Sequence, residues 1–265
     1  MKLKPCFFAA AILLTGSLFA QSGTADINEH GKPDKEQKSD DSQPRNLFKI
    51  NLAAIPLKNY SFQYERVLTK AMSLAVGYNN MPKGPIPLKT TFKKAVANED
   101  PQLTKIIDNL ETANWAITPE LRFYLSKKGY GRGFYLAPFY RHASFTVNNL
   151  LIDYENNASV KNTITLSGNL TSNTGGLQIG TQTSLGKHFG LDFWLLGAHY
   201  GTAKGTFSGI SNKPLTPDEQ TDLRNKIDDL NIGKLKATVT ASGATVVYDG
   251  PWGGLRGGLC LVFKF

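Results

Sequence analysis

The chain has 265 residues, with 30 Lys or Arg against 21 Asp or Glu for a formal charge of +9, 41% hydrophobic residues and two cysteines. That apolar content excludes a chain disordered throughout. Two cysteines exclude a disulfide scaffold, the more so because Cys6 falls in a segment expected to be removed, leaving Cys260 alone. Beyond the N-terminus no apolar run approaches the roughly 20 residues that a membrane-spanning helix needs.

Residues 1–20 read as a secretory signal peptide. Lys2 and Lys4 precede an apolar stretch from Cys6 to Phe19, and Ala20 before Gln21 is the expected cleavage point. Residues 21–45 follow as a flexible polar leader. They carry Asp26, Glu29, Lys35, Glu36, Lys38, Asp40 and Asp41 and almost nothing apolar, so they cannot offset the entropy of ordering.

Residues 46–265 read as one β-barrel domain, because from Phe48 onward the pattern becomes alternation. Phe48, Ile50, Leu52 and Ala54 interleave with Lys49 and Asn51; Tyr60, Phe62 and Tyr64 with Ser61, Gln63 and Glu65; Met72, Leu74, Val76 and Tyr78 with Ser73, Ala75 and Gly77. Trp115, Ile117, Pro119, Leu121 and Phe123 interleave with Thr118, Glu120, Arg122 and Tyr124, and Phe134, Leu136, Pro138 and Tyr140 with Tyr135, Ala137, Phe139 and Arg141. Leu177, Ile179 and Leu185 then alternate with Gln178, Gly180, Gln182 and Ser184, and Phe189, Leu191, Phe193 and Leu195 with Gly190, Asp192 and Trp194. The last stretch sets Gly257, Leu259, Leu261, Phe263 and Phe265 against Arg256, Gly258, Cys260 and Lys264. Side chains two apart share a sheet face, so each stretch predicts a strand with one bulky apolar face and one small or polar face.

Alternation does not say which face is inside. Volume puts the bulky face outward, because an eight-stranded barrel has a narrow interior; Trp194 and Phe139 are exceptions on the small face. The links also alternate. Val67–Ala71, Ser126–Arg132 and Gly186–His188 are short, whereas 82–114, 146–173 and 202–254 are long, after one short link near Leu57 and Lys58. Short turns on one side and long exterior loops on the other are the habit of outer-membrane barrels. Leu261, Phe263 and Phe265 share one face at the end and read as the signal by which such barrels reach their insertion machinery. The expectation is an all-β, transmembrane, antiparallel up-and-down barrel of eight strands, in the outer membrane of a Gram-negative bacterium.

With that face outward, Glu65, Glu120, Arg122, Arg141, Asp192 and Arg256 point inward, together with Lys49 and Lys264. Buried ions persist when paired, and the set reads as a salt-bridge plug, with a proton or ion path as the alternative. Two short helices are expected in the exterior loops. Asp100-Pro101 opens one with Leu103, Ile106, Ile107 and Leu110 on a face, and Thr216-Pro217-Asp218-Glu219 is a capping box ahead of Leu223, Ile227 and Leu230. The two are expected to pack on each other. Lys234 to Tyr248 alternates around Ser242-Gly243 as an exposed hairpin; were it to enter the membrane, the strand count would be ten.

In architecture the chain from Phe48 onward resembles small bacterial outer-membrane barrels of the OmpA and OmpX type. The stretches Asn51-Leu52-Ala53 through Tyr64-Glu65, Ile117-Thr118-Pro119-Glu120-Leu121-Arg122, Gly133-Phe134-Tyr135-Leu136-Ala137-Pro138 and Gly254-Leu255-Arg256 through Phe265 resemble a barrel family known only as a domain of unknown function. The resemblance implies fold and location and carries no activity.

No metal ligation is expected of His30, His142, His188 and His199, which have no Cys or His partner at ligand spacing. No cofactor loop appears either. The positive charge is explained by anionic lipopolysaccharide and solvated loops rather than by nucleic acid, and membrane lipid is the other expected partner. Tyr140-Arg141-His142-Ala143-Ser144-Phe145 resembles the Arg-His-x-Ser-Asn motif of outer-membrane lipid A deacylases. That would make His142 the base, Ser144 the nucleophile and Glu155 the orienting acid. Phe145 stands where the motif has Asn, and the favoured alternative is a histidine and serine near the headgroups. The expected role is structural or surface-interacting through the exterior loops. A narrow small-solute passage and a lipid A-modifying hydrolase are the alternatives.

Overall fold

The computed structural model describes residues 44–96, 101–126, 129–156, 160–229 and 234–265. The signal peptide and nearly all of the polar leader, His30 included, lie outside these residues, as does Leu230. The elements in chain order are β1 (Asn46–Asn51), a 3-10 helix (Leu52–Leu57), β2 (Tyr60–Val67), β3 (Met72–Pro85), α1 (Lys89–Val96), α2 (Pro101–Asn109), β4 (Glu111–Tyr124), β5 (Gly133–Glu155), β6 (Lys161–Leu185), β7 (Phe189–Ile210), α3 (Pro217–Asp228), β8 (Leu235–Thr240) and β9 (Gly243–Lys264). None of the helices is long and apolar enough to cross a membrane.

All strands are antiparallel, in the order β1-β2-β3-β4-β5-β6-β7-β9-β8, and β9 returns to β1, so eight strands close a ring. β7 occupies one edge of β9 from Gly243 to Phe263. β1 and β8 therefore share the other edge, β1 along Cys260–Lys264 and β8 along Gly243–Tyr248. The Lys234–Tyr248 hairpin is thus real and sits on the ring's long-loop end, and its second arm is the start of β9. The short turns after β2, β4 and β6 lie at one end, the turn end, together with Asn46 and Phe265, which exchange backbone hydrogen bonds at 3.2 and 3.0 Å. In the β6–β7 turn Gly186 takes φ of +89°, a conformation few other residues adopt.

The strands differ greatly in length. β1 and β2 have 6 and 8 residues, whereas β5, β6, β7 and β9 have 23, 25, 22 and 22. This corrects two expectations. The first strand does not run to Ala54: the Asn51 side chain accepts from the Ala53 N–H at 3.1 Å and starts a 3-10 helix containing Pro56, which Lys58 closes in the left-handed region. Within the segment expected as an exterior loop, 146–155 continues β5 and 161–173 belongs to β6, and 202–210 continues β7.

The alternation was hard to follow there because bulges shift it by one residue. Register slips between Met81 and Gly84, between Val147 and Leu150, and between Trp194 and Gly197. Each slip places one extra residue on β3, β5 or β7 and reverses which parity faces inward. On β5 the buried positions are Tyr135, Ala137 and Phe139 before the bulge and Leu150, Ile152 and Tyr154 after it.

Facing also changes meaning along the strands. Near the turn end β6 buries Gln178 and Gln182 and exposes Leu177, Ile179 and Leu185. Toward the loop end the same strand buries Ile164, Leu166 and Leu170 and exposes Thr163, Thr165 and Asn169. The loop-end extensions form an apolar core with the helices: Leu150, Ile152, Ile164 and Val246 meet Ile106 of α2 and Leu223 and Ile227 of α3. The two expected helices therefore pack onto the extended strands. α3 carries the expected capping box, with Thr216 Oγ1 accepting from the Glu219 N–H at 3.3 Å and the Glu219 carboxylate accepting from the Thr216 N–H at 2.9 Å. α1 was not anticipated; Lys93 at its end pairs with Asp108 of α2 at 2.8 Å.

Candidate functional site

The ring encloses a stack of layers. At the turn end Leu47, Val67 and Val262 form an apolar floor with Tyr130 packed against it. The Gln182 side chain donates to the Gly131 carbonyl at 2.6 Å and ties the β4–β5 turn into this mouth.

Above the floor lies the ionic layer, to which β1 to β7 all contribute side chains. Arg122 is its hub. The guanidinium reaches Asp192 at 2.7 Å, Glu120 at 3.0 Å, Glu65 at 3.3 Å and Gln63 Oε1 at 2.7 Å, and lies 4.4 Å from the Tyr135 ring centroid. Lys49 pairs with Glu65 and, at 2.7 Å, with Asp192, and donates to Gln182 Oε1 at 2.6 Å. The second oxygens of Glu65 and Asp192 accept hydroxyl protons: Glu65 from Ser73 at 2.5 Å and Tyr124 at 2.6 Å, Asp192 from Tyr135 at 2.8 Å. Lys49, Glu65, Arg122 and Asp192 are wholly buried. Removing one partner from such a set leaves an uncompensated buried charge, at a cost of about 3–5 kcal/mol. Gly180 faces this layer from β6 because a side chain there would collide with the Tyr135 phenol.

The third layer holds the two aromatic exceptions. Phe139 and Trp194 are inside, and the Arg256 guanidinium lies over both rings, 4.6 and 4.9 Å from their centroids. Burial of these large rings in a narrow lumen is therefore also a cation–π arrangement. Arg256 pairs with Glu120 at 2.9 Å. Arg141 donates to Asn79 Oδ1 at 3.1 Å and Thr118 Oγ1 at 3.3 Å.

Here the wall is incomplete. Between the β1 and β8 pairings, residues 249–259 of β9 have no strand on that edge among the described residues; the 3-10 helix lies alongside instead. A cleft of about 80 Å³ opens at this place, with Asn79, Arg141, His199, Trp252 and Arg256 among its lining. It follows from the shortness of β1.

Of the residues placed inward by the sequence, Glu65, Glu120, Arg122, Asp192 and Arg256 meet in ion pairs, whereas Arg141 faces the lumen on neutral oxygens. Lys264 also turns inward, at the floor, where it donates to the Ser184 hydroxyl. The tyrosines and glutamines that complete the cluster were not singled out, although Tyr124, Tyr135, Gln63, Gln178 and Gln182 all stood on the inward parity. Leu261, Phe263 and Phe265 turn outward, with Phe263 stacked on Phe265 at a centroid distance of 5.9 Å and meeting Phe189 edge-on at 5.7 Å.

The deacylase-like constellation does not assemble. His142 and Ser144 do share the outer face of β5, but the imidazole Nδ1 lies 2.8 Å from Asn173 Oδ1 and its ring packs against Trp115. Glu155 ends the same strand, roughly 40 Å away at about 3.3 Å per residue, where its N–H donates to Asp222 at 2.8 Å. A straight strand cannot fold Glu155 back onto His142. Among the described residues no group of three or more His, Cys, Asp or Glu comes together as a metal site, and Cys260 is a free, buried thiol.

Residues 88–207, which run from just before α1 into β7, match the model of a family described as a protein of unknown function, DUF3575. This agrees with the resemblance drawn from the sequence to a barrel family of unknown function. No curated protein and no solved structure matches the chain.

Proposed function

We propose that the protein is an integral outer-membrane barrel whose ionic layer plugs the lumen and whose extended strands hold a packed head outside the membrane, in a structural or surface-interaction role. One observation carries this reading: the same strands reverse their polarity along their length. In the turn-end half, Phe62, Leu74, Ile117, Leu177 and Phe193 form an outward apolar belt around buried ions. No aqueous environment rewards that arrangement, whereas hydrocarbon outside and paired charges inside satisfy both faces.

The belt has aromatic margins. Phe123, Phe134, Phe189 and Phe263 stand outward near the turn end, and Tyr60, Tyr78, Trp115, Tyr140 and Tyr200 stand outward where the polarity begins to change. Along β4 the span from Trp115 to Phe123 covers about 27 Å of strand, or about 20 Å of height at the usual barrel tilt. That is close to the height of the lipid-facing band of outer-membrane barrels.

The test is fractionation of cells producing the full chain, with boiled and unboiled samples compared in detergent gels. The expected result is recovery with the outer membrane and a faster-migrating unboiled form. Recovery in the periplasm would overturn the reading. A small-solute passage is the second reading, favoured by the cleft that opens onto Arg141 and Arg256. Discrete conductance steps of the parent protein in planar bilayers would support it; a silent bilayer supports the plug.

A further inference from the structure

The layer beside the cleft carries a surplus of positive charge. Arg141 and Arg256 both line it, and no Asp or Glu does so among the described residues. The carboxylate at their level, Glu120, is shared: it pairs with Arg256 at 2.9 Å and with Arg122 at 3.0 Å. Arg141 forms no ion pair among the described residues, and its hydrogen bonds run to the neutral oxygens of Asn79 and Thr118. An arginine turned into the lumen against neutral acceptors is costly unless an anion completes its surroundings.

A second group is also left over. His199 sits on the cleft wall with its ring against Phe139, and its buried Nδ1 has no hydrogen-bond partner. Buried polar nitrogens are rarely left so. The cavity of about 80 Å³ exceeds what one water needs, so it has room for a tetrahedral or planar oxyanion. Ala53, Leu57 and Leu255 give its lining an apolar part.

We propose that this cleft binds a small oxyanion of the phosphate or carboxylate class, held by the guanidinium groups of Arg141 and Arg256 with His199 beside them. The planar fork of arginine matches such anions in geometry as well as charge. The anion arrives free in solution or as the acidic group of a lipid whose apolar part meets the apolar lining. The inference stands on the geometry of the cleft and does not depend on which membrane holds the barrel.

Inorganic phosphate titrated calorimetrically into the full barrel in zwitterionic detergent tests the free source. The barrel in nanodiscs of phosphatidylcholine with and without phosphatidic acid, analysed by native mass spectrometry, tests the lipid source. Arg141→Gln is expected to weaken binding at least tenfold in whichever arm binds, Arg141→Lys to weaken it less, and the outward His142→Ala to leave it unchanged. The unboiled gel mobility of each variant shows that it is folded, and His199→Phe, which keeps a ring in place, provides a second weakened variant should Arg141→Gln fail that check. Phosphate binding that needs Arg141 or His199 assigns the free source. Phosphatidic acid binding with the same dependence assigns the lipid source. Binding equal in parent and variants, or no binding in either arm, overturns the proposal.

Discussion

The turn-end half of the barrel and the loop-end head are built from the same four long strands, yet they are held together in opposite ways. Below, the inside is ionic: Arg122, Lys49, Glu65, Glu120 and Asp192 interlock, and the outside is hydrocarbon. Above, the inside is hydrocarbon: Leu150, Ile164, Leu223 and Ile227 pack together, and the outside is threonine, serine and lysine. A sheet thus does not determine its own polarity. In the proposed reading the surroundings of each half do, with hydrocarbon around the turn-end half and water around the head, and the change of sign along β6 falls between them.

The sharpest way to break the contrast is to remove the ionic hub. Arg122→Leu leaves Glu65, Glu120 and Asp192 short of a cation and is expected to cost about 3–5 kcal/mol. The measurement is the urea midpoint at which the fast-migrating gel form is lost. The head should answer to a different change. Leu223→Ala empties a wholly buried position and is expected to cost about 2–5 kcal/mol of head stability. Faster amide exchange and proteolysis in α3 would show this, with the gel mobility of the barrel unchanged. If Leu223→Ala also abolished the mobility shift, the two halves would be one cooperative unit.

Smaller effects sharpen the picture of the head. Thr216→Ala removes the cap of α3 and is expected to loosen that helix by about 1 kcal/mol, read by amide exchange. The last effect depends on pH. The Thr216 N–H, followed by Lys213 at 3.0 Å, holds the Glu219 carboxyl below its ordinary 4.5. A lowered folded value means that the contribution is fully present above that ordinary value and is lost as pH falls through the folded one. Exchange at the start of α3 should therefore quicken only as acid takes the pH below 4.5, and Glu219→Gln should flatten that response.

Much of the barrel was legible because period two is a strong signal and parity assigns a face. Lys49, Glu65, Glu120, Arg122 and Asp192 stood on one parity with Tyr135 and Gln182, and they meet in space. The loop-end extensions were not legible, for two physical reasons. The extra residues at Asn148-Asn149 and Leu195-Leu196 reverse parity within a strand, so the pattern seems to stop where it only changes phase. Past those points the faces also exchange chemistry, and a strand exposing Thr163 and Thr165 reads as a polar loop when judged by the rule that fits Leu177 and Ile179. The cleft lay beyond reach because it comes from a mismatch in length between β1 and β9, which only pairing reveals. α1 is two turns long, too short for a periodic pattern to stand out.

The central claim is most directly tested on β6 itself, with nitroxide labels at Leu177 and at Thr165 in barrels reconstituted in bilayers. Relaxation by oxygen and by a water-soluble nickel chelate reports whether each label contacts acyl chains or water. Strong oxygen and weak nickel relaxation is expected at Leu177, and the reverse at Thr165. Strong nickel relaxation at both positions would mean that no lipid surrounds the turn-end half, and the reading of the barrel as membrane-integral would be wrong.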